Sequence, residues 1–146
     1  MTEFLDLHGQ LNKVVRALAE SAMQRHGLHL GQDHLLAQLW DRDGQTPGEL
    51  ASGAGVSTPA VVKMADRMSA AGFITRARDE RDNRLVRLWL TDKGRSLQGP
   101  VTRERHTLDD ALTADLSPEQ RELLTGALRT VYRTALAAQT DEHPNV

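Results

Sequence analysis

Apolar side chains recur at helical spacing over most of this chain and predict a mainly α-helical fold. Residues at positions i, i+3, i+4 and i+7 share one face of a helix, so apolar residues at that spacing mark a face that packs against something. One such run lies between residue 3 and about residue 26, where Gly27 ends it. A second is predicted over roughly residues 32–41. The apolar positions are Phe4, Leu7, Leu11, Val14, Val15, Leu18 and Ala22 in the first run, and Leu35, Leu36, Leu39 and Trp40 in the second.

Two short helices joined by a tight turn are predicted next. Thr46 and Glu49 have the spacing of a capping box, with Pro47 at the first helical position, where its missing N–H costs nothing. Gly55 is placed to end this helix, because helix ends commonly adopt a left-handed conformation that glycine tolerates. Ser57 is the expected N-cap of the next helix. The first helix is expected to have a narrow apolar face, and the second a buried apolar stripe. These are formed by Leu50, Ala51 and Ala54 in the first helix and by Val61, Met64, Ala65 and Met68 in the second.

A short hairpin rich in arginine comes next, with a polar tip at residues 79–83. Between Ser57 and Trp89 there are seven basic and four acidic residues, whereas the rest of the chain has 11 basic and 16 acidic residues. The formal net charge of −2 therefore conceals a local positive surface, which contact with phosphate requires. The basic residues of the hairpin are all arginine, which favours phosphate or minor-groove recognition. They are Arg76, Arg78, Arg81, Arg84 and Arg87.

Two further helices are predicted after the hairpin. Thr91 is placed to cap the first of them, and Gly99-Pro100 should kink it. A second capping box at residues 117–120 predicts where the last helix begins. The polar segment from Thr140 is expected to be a flexible tail. The apolar positions are Leu97, Val101, Leu108 and Leu112 in the first helix, and Leu124, Ala127, Leu128, Val131, Ala135 and Leu136 in the last.

The composition limits the chemistry that the chain can perform. It has 146 residues and no cysteine, which excludes disulfides, iron–sulfur clusters and thiol redox sensing. No apolar run approaches the length of a membrane span and the first residues lack a signal-peptide pattern, so a cytoplasmic protein is expected. The sequence has no phosphate-binding glycine loop, dinucleotide fingerprint or nucleophile elbow. We therefore expect neither an enzyme nor a cofactor.

Several motifs resemble the MarR family of bacterial transcription regulators, and the resemblance covers essentially the whole chain. The hairpin and the segment directly after it, Asp79-Glu80-Arg81-Asp82-Asn83-Arg84 and Leu88-Trp89-Leu90-Thr91-Asp92-Lys93-Gly94, are similar to the wing signature of that family. Glu49-Leu50-Ala51, Gly55-Val56-Ser57 and Gly72-Phe73-Ile74 stand where the family has matching residues. Two departures bear on the target sequence. Pro59-Ala60-Val61 replaces residues that are frequently polar, and the outward face of that helix carries only two cations.

The resemblance implies one MarR-like domain that is mainly α with a small β-hairpin wing. It implies a winged helix-turn-helix lobe at about residues 28–92, dimerisation helices at residues 1–27 and 93–139, and a flexible tail at residues 140–146. It further implies a homodimer that binds a palindromic operator in double-stranded DNA and represses transcription. A small aromatic or anionic effector is also implied. Its candidate lining residues are His8, Asn12, Arg16 and Trp40.

The helix after Ser57 is expected to lie in the major groove and the hairpin in the adjacent minor groove. Lys63 is a candidate for contact with base edges and Arg67 for contact with phosphate. Arg81 stands at the tip of the hairpin and is expected to enter the minor groove. Arg84 is expected to pair with Asp82 or Asp79, or to contact phosphate. The full set of expected DNA-contacting residues is Ser57, Thr58, Pro59, Ala60, Lys63, Arg67, Arg76, Arg78, Arg81, Asp82 and Arg84.

Two other functions stay open at this point. One is a zinc-responsive regulator, because imidazole and carboxylate groups can bind zinc. The absence of cysteine and of paired histidine motifs favours ordinary polar residues instead, and no metal site is expected. The other is a dimeric interaction protein without DNA binding, which a titration with DNA at varied salt would identify. The candidate zinc ligands are His26, His29, Asp33 and His34 near the first interhelical turn, and His106 and Asp110 one helical turn apart.

Overall fold

The structure is a computed structural model that describes residues 2–142. It confirms the mainly α fold with one antiparallel hairpin. The chain divides into two compact units, with the boundary after His106. The elements are α1 (Glu3–Gln24), α2 (Gln32–Asp41), α3 (Pro47–Ala54), α4 (Thr58–Ala70), β1 (Ile74–Arg78), β2 (Val86–Leu90), α5 (Asp92–Ser96), α6 (Gln98–Leu112) and α7 (Pro118–Glu142).

The start and end of α3 confirm the capping signals in the sequence. The Glu49 N–H donates to Thr46 Oγ1 at 3.2 Å, and the Thr46 N–H donates to Glu49 Oε2 at 3.2 Å. Gly55 ends the helix with a φ of 66°, in the left-handed region that glycine tolerates. The Ala60 N–H then donates to Ser57 Oγ at 3.3 Å, which caps α4. These local contacts fix the angle at which α3 passes into α4.

The core of the first unit takes side chains from α2, α3, α4 and both strands. The predicted stripe of α4 is confirmed at Val61, Ala65 and Met68, while Met64 is only half-buried. Of the apolar face predicted for α3, Leu50 and Ala51 are buried, whereas Ala54 is exposed at the last residue of the helix. Fully buried side chains include Leu28, Leu36, Leu39, Leu50, Val61, Met68, Ile74, Leu88 and Val101.

The long helix predicted after the hairpin is interrupted earlier than the sequence indicates. Thr91 caps α5 as predicted, because the Gly94 N–H donates to its Oγ1 at 3.1 Å. The break falls at Leu97 rather than at Gly99-Pro100. Pro100 has no N–H to donate to the Ser96 carbonyl four residues earlier, so the missing hydrogen bond lies in the turn before the proline.

The second unit contains α7, which begins with the predicted capping box. The Gln120 N–H donates to Ser117 Oγ at 3.1 Å, and the Ser117 N–H donates to Gln120 Oε1 at 2.9 Å. The helix extends to Glu142, so residues 140–142 of the predicted tail are helical. The remainder of that tail, residues 143–146, lies outside the described residues.

The long helices α1 and α7 leave their apolar stripes exposed. In α1, the exposed fractions of Phe4, Leu7 and Leu11 are 55%, 63% and 59%. In α7, those of Leu128 and Val131 are 54% and 40%. Such faces are typical of surfaces that pack against another chain. Within residues 2–142, no helix combines the length and the apolar character needed to cross a membrane.

Candidate nucleic-acid interface

The first part of the candidate interface is the outward face of α4. Burial of Val61, Ala65 and Met68 fixes the rotation of this helix, so that Lys63 and Arg67 point away from the core. The first turn, with Thr58, Pro59 and Ala60, is exposed as well. Small side chains at the exposed N-terminus of a helix allow its backbone to approach another surface closely.

The second part is the wing, by which we mean β1, β2 and the loop of residues 79–85 between them. The strands pair in antiparallel register, with Arg76 opposite Leu88 and Arg78 opposite Val86. The Leu88 N–H also donates to the Gln45 carbonyl at 2.8 Å, which ties β2 to the loop before α3. The wing is therefore anchored beside the helix-turn-helix and does not project as an isolated hairpin.

Asp79 organises the tip of the wing. Its Oδ1 accepts hydrogen bonds from the backbone N–H groups of Arg81 and Asp82 at 2.8 and 2.9 Å. Its Oδ2 accepts one from Arg87 Nε at 2.5 Å. The Arg87 guanidinium and these two N–H groups lower the pKa of the Asp79 carboxyl to about 2, since all three stabilise the charged form.

Arg87 continues this network to the body of the lobe. Its guanidinium donates to the Gly44 carbonyl at 2.9 Å and lies 4.0 Å from Glu49 Oε2, the same carboxylate that closes the capping box of α3. Arg42 lies 3.6 Å from that oxygen. Sequence reasoning missed this link, because Asp79 and Arg87 are partners only once the two strands pair and bring them together.

Of the contacts expected for Arg84, the structure shows the pairing with Asp82, and contact with phosphate stays a prediction. Arg84 Nε and Nη2 donate to the two oxygens of Asp82 at 3.0 and 3.1 Å, and the backbone N–H of Arg84 adds a third bond at 3.1 Å. The Arg84 hydrogen bonds lower the pKa of Asp82, and the Asp82 carboxylate raises the pKa of Arg84. Both residues thereby set the shape of the loop.

Two more of the predicted DNA-contacting arginines have partners inside the lobe. Arg76 forms an ion pair with Asp66 of α4 and donates to the Val62 carbonyl at 3.4 Å. Arg78 donates to the Asn83 carbonyl at 3.0 Å across the wing loop. These contacts hold β1 against α4 and close the loop, so both side chains contribute to the structure of the lobe itself.

Lys63, Arg67 and Arg81 differ from the other cations of this surface. Within residues 2–142, their side chains form neither an ion pair nor a hydrogen bond. Arg81 is held only through its backbone N–H, which leaves its guanidinium at the wing tip in solvent. The lobe thus presents unpaired cations on α4 and at the wing tip, with a fixed scaffold between them.

The candidate effector residues occupy two kinds of environment. His8, Asn12 and Arg16 are exposed on α1, and the imidazole of His8 stacks on Phe4 at 6.0 Å between ring centroids. Trp40 is half-buried, and its indole N–H donates to the Gly94 carbonyl at 3.0 Å. No hydrogen bond or ring contact within residues 2–142 joins Trp40 to the three residues of α1, and the effector site stays a prediction.

Four of the six candidate zinc ligands, His26, His29, Asp33 and Asp110, contact polar side chains outside the candidate set. Asp33 is 3% exposed and accepts hydrogen bonds from Arg105 and from the Gly31 N–H. The imidazole of His26 lies 3.2 Å from Glu104, and that of His29 lies 3.2 Å from Glu20. No group of three or more histidine, cysteine or acidic side chains in residues 2–142 is arranged to hold a metal ion.

Comparisons with known proteins identify relatives of this chain. Residues 28–86 match the MarR family model. The HTH-type transcriptional repressor MdtR of Bacillus subtilis is 31% identical over 142 residues, which cover 97% of this chain and 89% of MdtR. The HTH-type transcriptional regulator TtmR of Methylorubrum extorquens is 34% identical over 104 residues, covering 71% of this chain and 53% of TtmR. This chain therefore spans about half the length of TtmR.

A solved structure shows the same fold. The chain matches the crystal structure of an S. aureus MepR–DNA complex with a TM-score of 0.83 and 21% identity. The match covers 92% of this chain and 98% of that chain.

Proposed function

This chain belongs to the MarR family, and we propose that it is a sequence-specific DNA-binding regulator that represses transcription. In this proposal α4 lies in the major groove of an operator and the wing reaches the adjacent minor groove. The observation that carries it is the set of unpaired cations at Lys63, Arg67 and Arg81, since the other wing arginines are held within the lobe. Unpaired cations can neutralise phosphates without first breaking an ion pair.

The names of two similar proteins support the proposal. MdtR is named as a repressor, and the MepR structure is described as a complex with DNA. For this chain we assign Ser57, Thr58, Ala60 and Lys63 to the base edges and Arg67 to phosphate, and Pro59 belongs to the same exposed first turn of α4. Asp82 and Arg84 shape the wing, and Arg81 enters the minor groove.

The protein acts as a homodimer in this proposal. The exposed apolar faces of α1 and α7 supply surfaces for a second copy. A two-fold dimer presents α4 twice, which suits a palindromic operator with half-sites about 34 Å apart. A cytoplasmic location follows from contact with DNA. A small aromatic or anionic effector near Arg16 completes the proposal, with His8, Asn12 and Trp40 as its other candidate contacts.

The test of this function compares Arg81→Ala with Lys63→Ala. The operator is first defined by sequencing the genomic DNA fragments that the purified protein selects. Arg81→Ala should weaken binding most at operators with A·T-rich flanks, because a narrow minor groove concentrates negative potential. Lys63→Ala should weaken binding at the central positions. If Lys63 meets only phosphate, the loss is uniform and the salt slope falls by about one unit.

Fluorescence anisotropy at several salt concentrations measures both effects. Arg129→Ala is the matched control, because it removes one exposed arginine from α7 and should leave operator affinity unchanged. Circular dichroism checks that each variant is folded. Wild-type affinity of Arg81→Ala on every operator would show that the wing does not bind DNA, and absence of salt-dependent DNA binding by the wild type would refute the function as a whole.

A further inference from the structure

A cavity of about 510 Å³ lies between α2, the turn that joins α3 to α4, and the first half of α4. Its volume is within the range of small-molecule sites, roughly 300–1,000 Å³. The cavity is distinct from the surface of α4 that carries Lys63 and Arg67, and from the α1 residues considered for an effector. Its lining includes Leu35, Gln38, Asp41, Val56, Val61 and Met64.

The walls of the cavity are mainly apolar. Leu35 and Val61 are buried side chains of the core, and Met64 is half-buried. Val56, on the turn, leaves 47% of its surface exposed although it is a large apolar residue. A ligand with a flat apolar body would remove part of Val56 and Met64 from water, which is favourable by roughly 25 cal/mol per Å² of apolar surface.

The polar groups of the cavity favour a cation. Asp41 is exposed at the rim, and its carboxylate has neither a hydrogen bond nor an ion pair within residues 2–142. Gln38 Nε2 donates to the Leu50 carbonyl at 3.3 Å, which leaves the amide oxygen of Gln38 as an acceptor. No lysine or arginine is among the described residues that line the cavity, and the other ionisable side chain of the lining is the imidazole of His34. The site therefore offers one carboxylate, one imidazole and the amide oxygen of Gln38.

We propose that this cavity binds a small molecule that combines a planar apolar body with one alkylammonium group. The apolar body lies against Val56, Val61 and Met64, and the ammonium group lies at Asp41. The occupant contacts the inner side of α4, whose outer side carries Lys63 and Arg67. Any effect on DNA affinity rests on the proposed function, whereas binding in the cavity does not.

The test uses two probes with the same indole ring and opposite charge, tryptamine and indole-3-propionate. Each is titrated into the ¹⁵N-labelled protein without DNA, so the result is independent of operator binding. Tryptamine should shift the backbone amide signals of the cavity residues with a dissociation constant on the order of 0.1–1 mM, as expected for a ligand of its size. Indole-3-propionate should bind more weakly by about fivefold, the upper end of the range for one exposed charge pair.

Two variants locate the site. Asp41→Asn should remove the preference for tryptamine, while Asp6→Asn on α1 removes the same charge from a residue that does not line the cavity and should leave the preference intact. Ala54→Trp should fill the cavity and abolish binding, because Ala54 is an exposed lining residue. Equal affinity for both probes, no shifts at cavity residues up to about ten times the expected dissociation constant, or unchanged binding in both Asp41→Asn and Ala54→Trp would overturn the proposal.

Discussion

Asp79 accepts three hydrogen bonds inside the wing, from the N–H groups of Arg81 and Asp82 and from the guanidinium of Arg87. None of these bonds uses the side chain of Arg81. The carboxylate therefore fixes the backbone from which Arg81 extends while leaving that guanidinium available. Ordering the backbone before DNA is bound lowers the entropy cost of binding, because less freedom remains to be lost.

The pH dependence of the wing follows from the lowered pKa of Asp79. Its carboxyl titrates at about 2 in the folded protein, against an ordinary value of 3.8. Because the folded pKa is the lower one, the stabilisation is fully present above about pH 4 and is lost as the pH falls towards 2. We expect carboxyl chemical shifts measured by NMR to show Asp79 of the folded protein titrating well below 3.8. A folded-state midpoint at that ordinary value would contradict the network.

The variant Asp79→Asn tests the cause of that shift. An amide retains one oxygen acceptor but cannot form a charged pair with Arg87, so the loop should lose order. Operator affinity should then fall although Arg81 itself is unchanged. Asp115→Asn is the control, since Asp115 is an exposed residue outside the wing. Wild-type affinity together with unchanged amide signals for Arg81 and Asp82 would show that the Asp79 network does not shape the wing.

Metal dependence is a second question at the scale of single residues. Asp33, the acidic group nearest to His34, is held by Arg105, and Nε2 of His34 lies 4.0 Å from it. A zinc ion would have to displace that guanidinium, so we expect zinc or a chelator to leave operator affinity unchanged. A tenfold shift, equivalent to about 1.4 kcal/mol, that disappears in His106→Ala would instead support a zinc-responsive regulator.

At the scale of elements, the predicted starts of α3, α4, α5 and α7 are confirmed because the signals are local. A capping serine or threonine and its partner lie three residues apart, so the sequence contains the whole interaction. The same holds for apolar stripes, whose spacing reflects the helical repeat. The sequence predicts the break at Gly99-Pro100, two residues later than its actual position at Leu97. The difference arises because Pro100 cannot donate to the carbonyl four residues before it.

Contacts between elements could not be predicted in this way. Asp43 Oδ1 accepts the Leu90 N–H at 2.9 Å, and Arg87 reaches the Gly44 carbonyl, each across more than 40 residues of sequence. These partners depend on where α2 ends relative to β2. The sequence shows that the wing is rich in arginine. Which of these arginines are paired, and that Arg81 is not, can be seen only in the folded structure.

The packing of α5 against the segment before β1 makes a prediction about two helical glycines. A Cβ at Gly94 would lie 2.2 Å from the Phe73 carbonyl oxygen, whereas a Cβ at Gly126 in α7 would meet no atom within 4 Å. Gly94→Ala must displace backbone and should lower the free energy of unfolding by about 1–3 kcal/mol. Gly126→Ala should raise it by about 0.5–1 kcal/mol, since alanine favours helix.

Denaturant unfolding followed by circular dichroism measures both glycine variants under the same conditions. The contrast in sign is the test, because both changes add one methyl group to a helix. Similar effects of the two substitutions would show that α5 does not approach Phe73 as closely as described.

At the scale of the whole molecule, the positive surface and the exposed apolar surface lie on different elements of the chain. The positive surface lies on α4 and the wing, in a chain whose net charge is −2. The exposed apolar faces lie on α1 and α7, helices that carry none of the unpaired cations of that surface. A face of this kind is costly to leave in water, so it indicates a protein partner, and the simplest one is a second copy of the chain.

The last prediction concerns that assembly. Light scattering at micromolar concentration should give a mass near twice the chain's 16.1 kDa. Leu128→Glu places a charge in the apolar stripe of α7 and should shift the protein towards monomer and weaken operator binding with it, because a monomer contacts only one half-site. Arg129→Glu is the control, since the neighbouring residue is exposed but lies outside the stripe, and should leave the mass unchanged. A wild-type monomer that binds the full operator with undiminished affinity would refute the dimer.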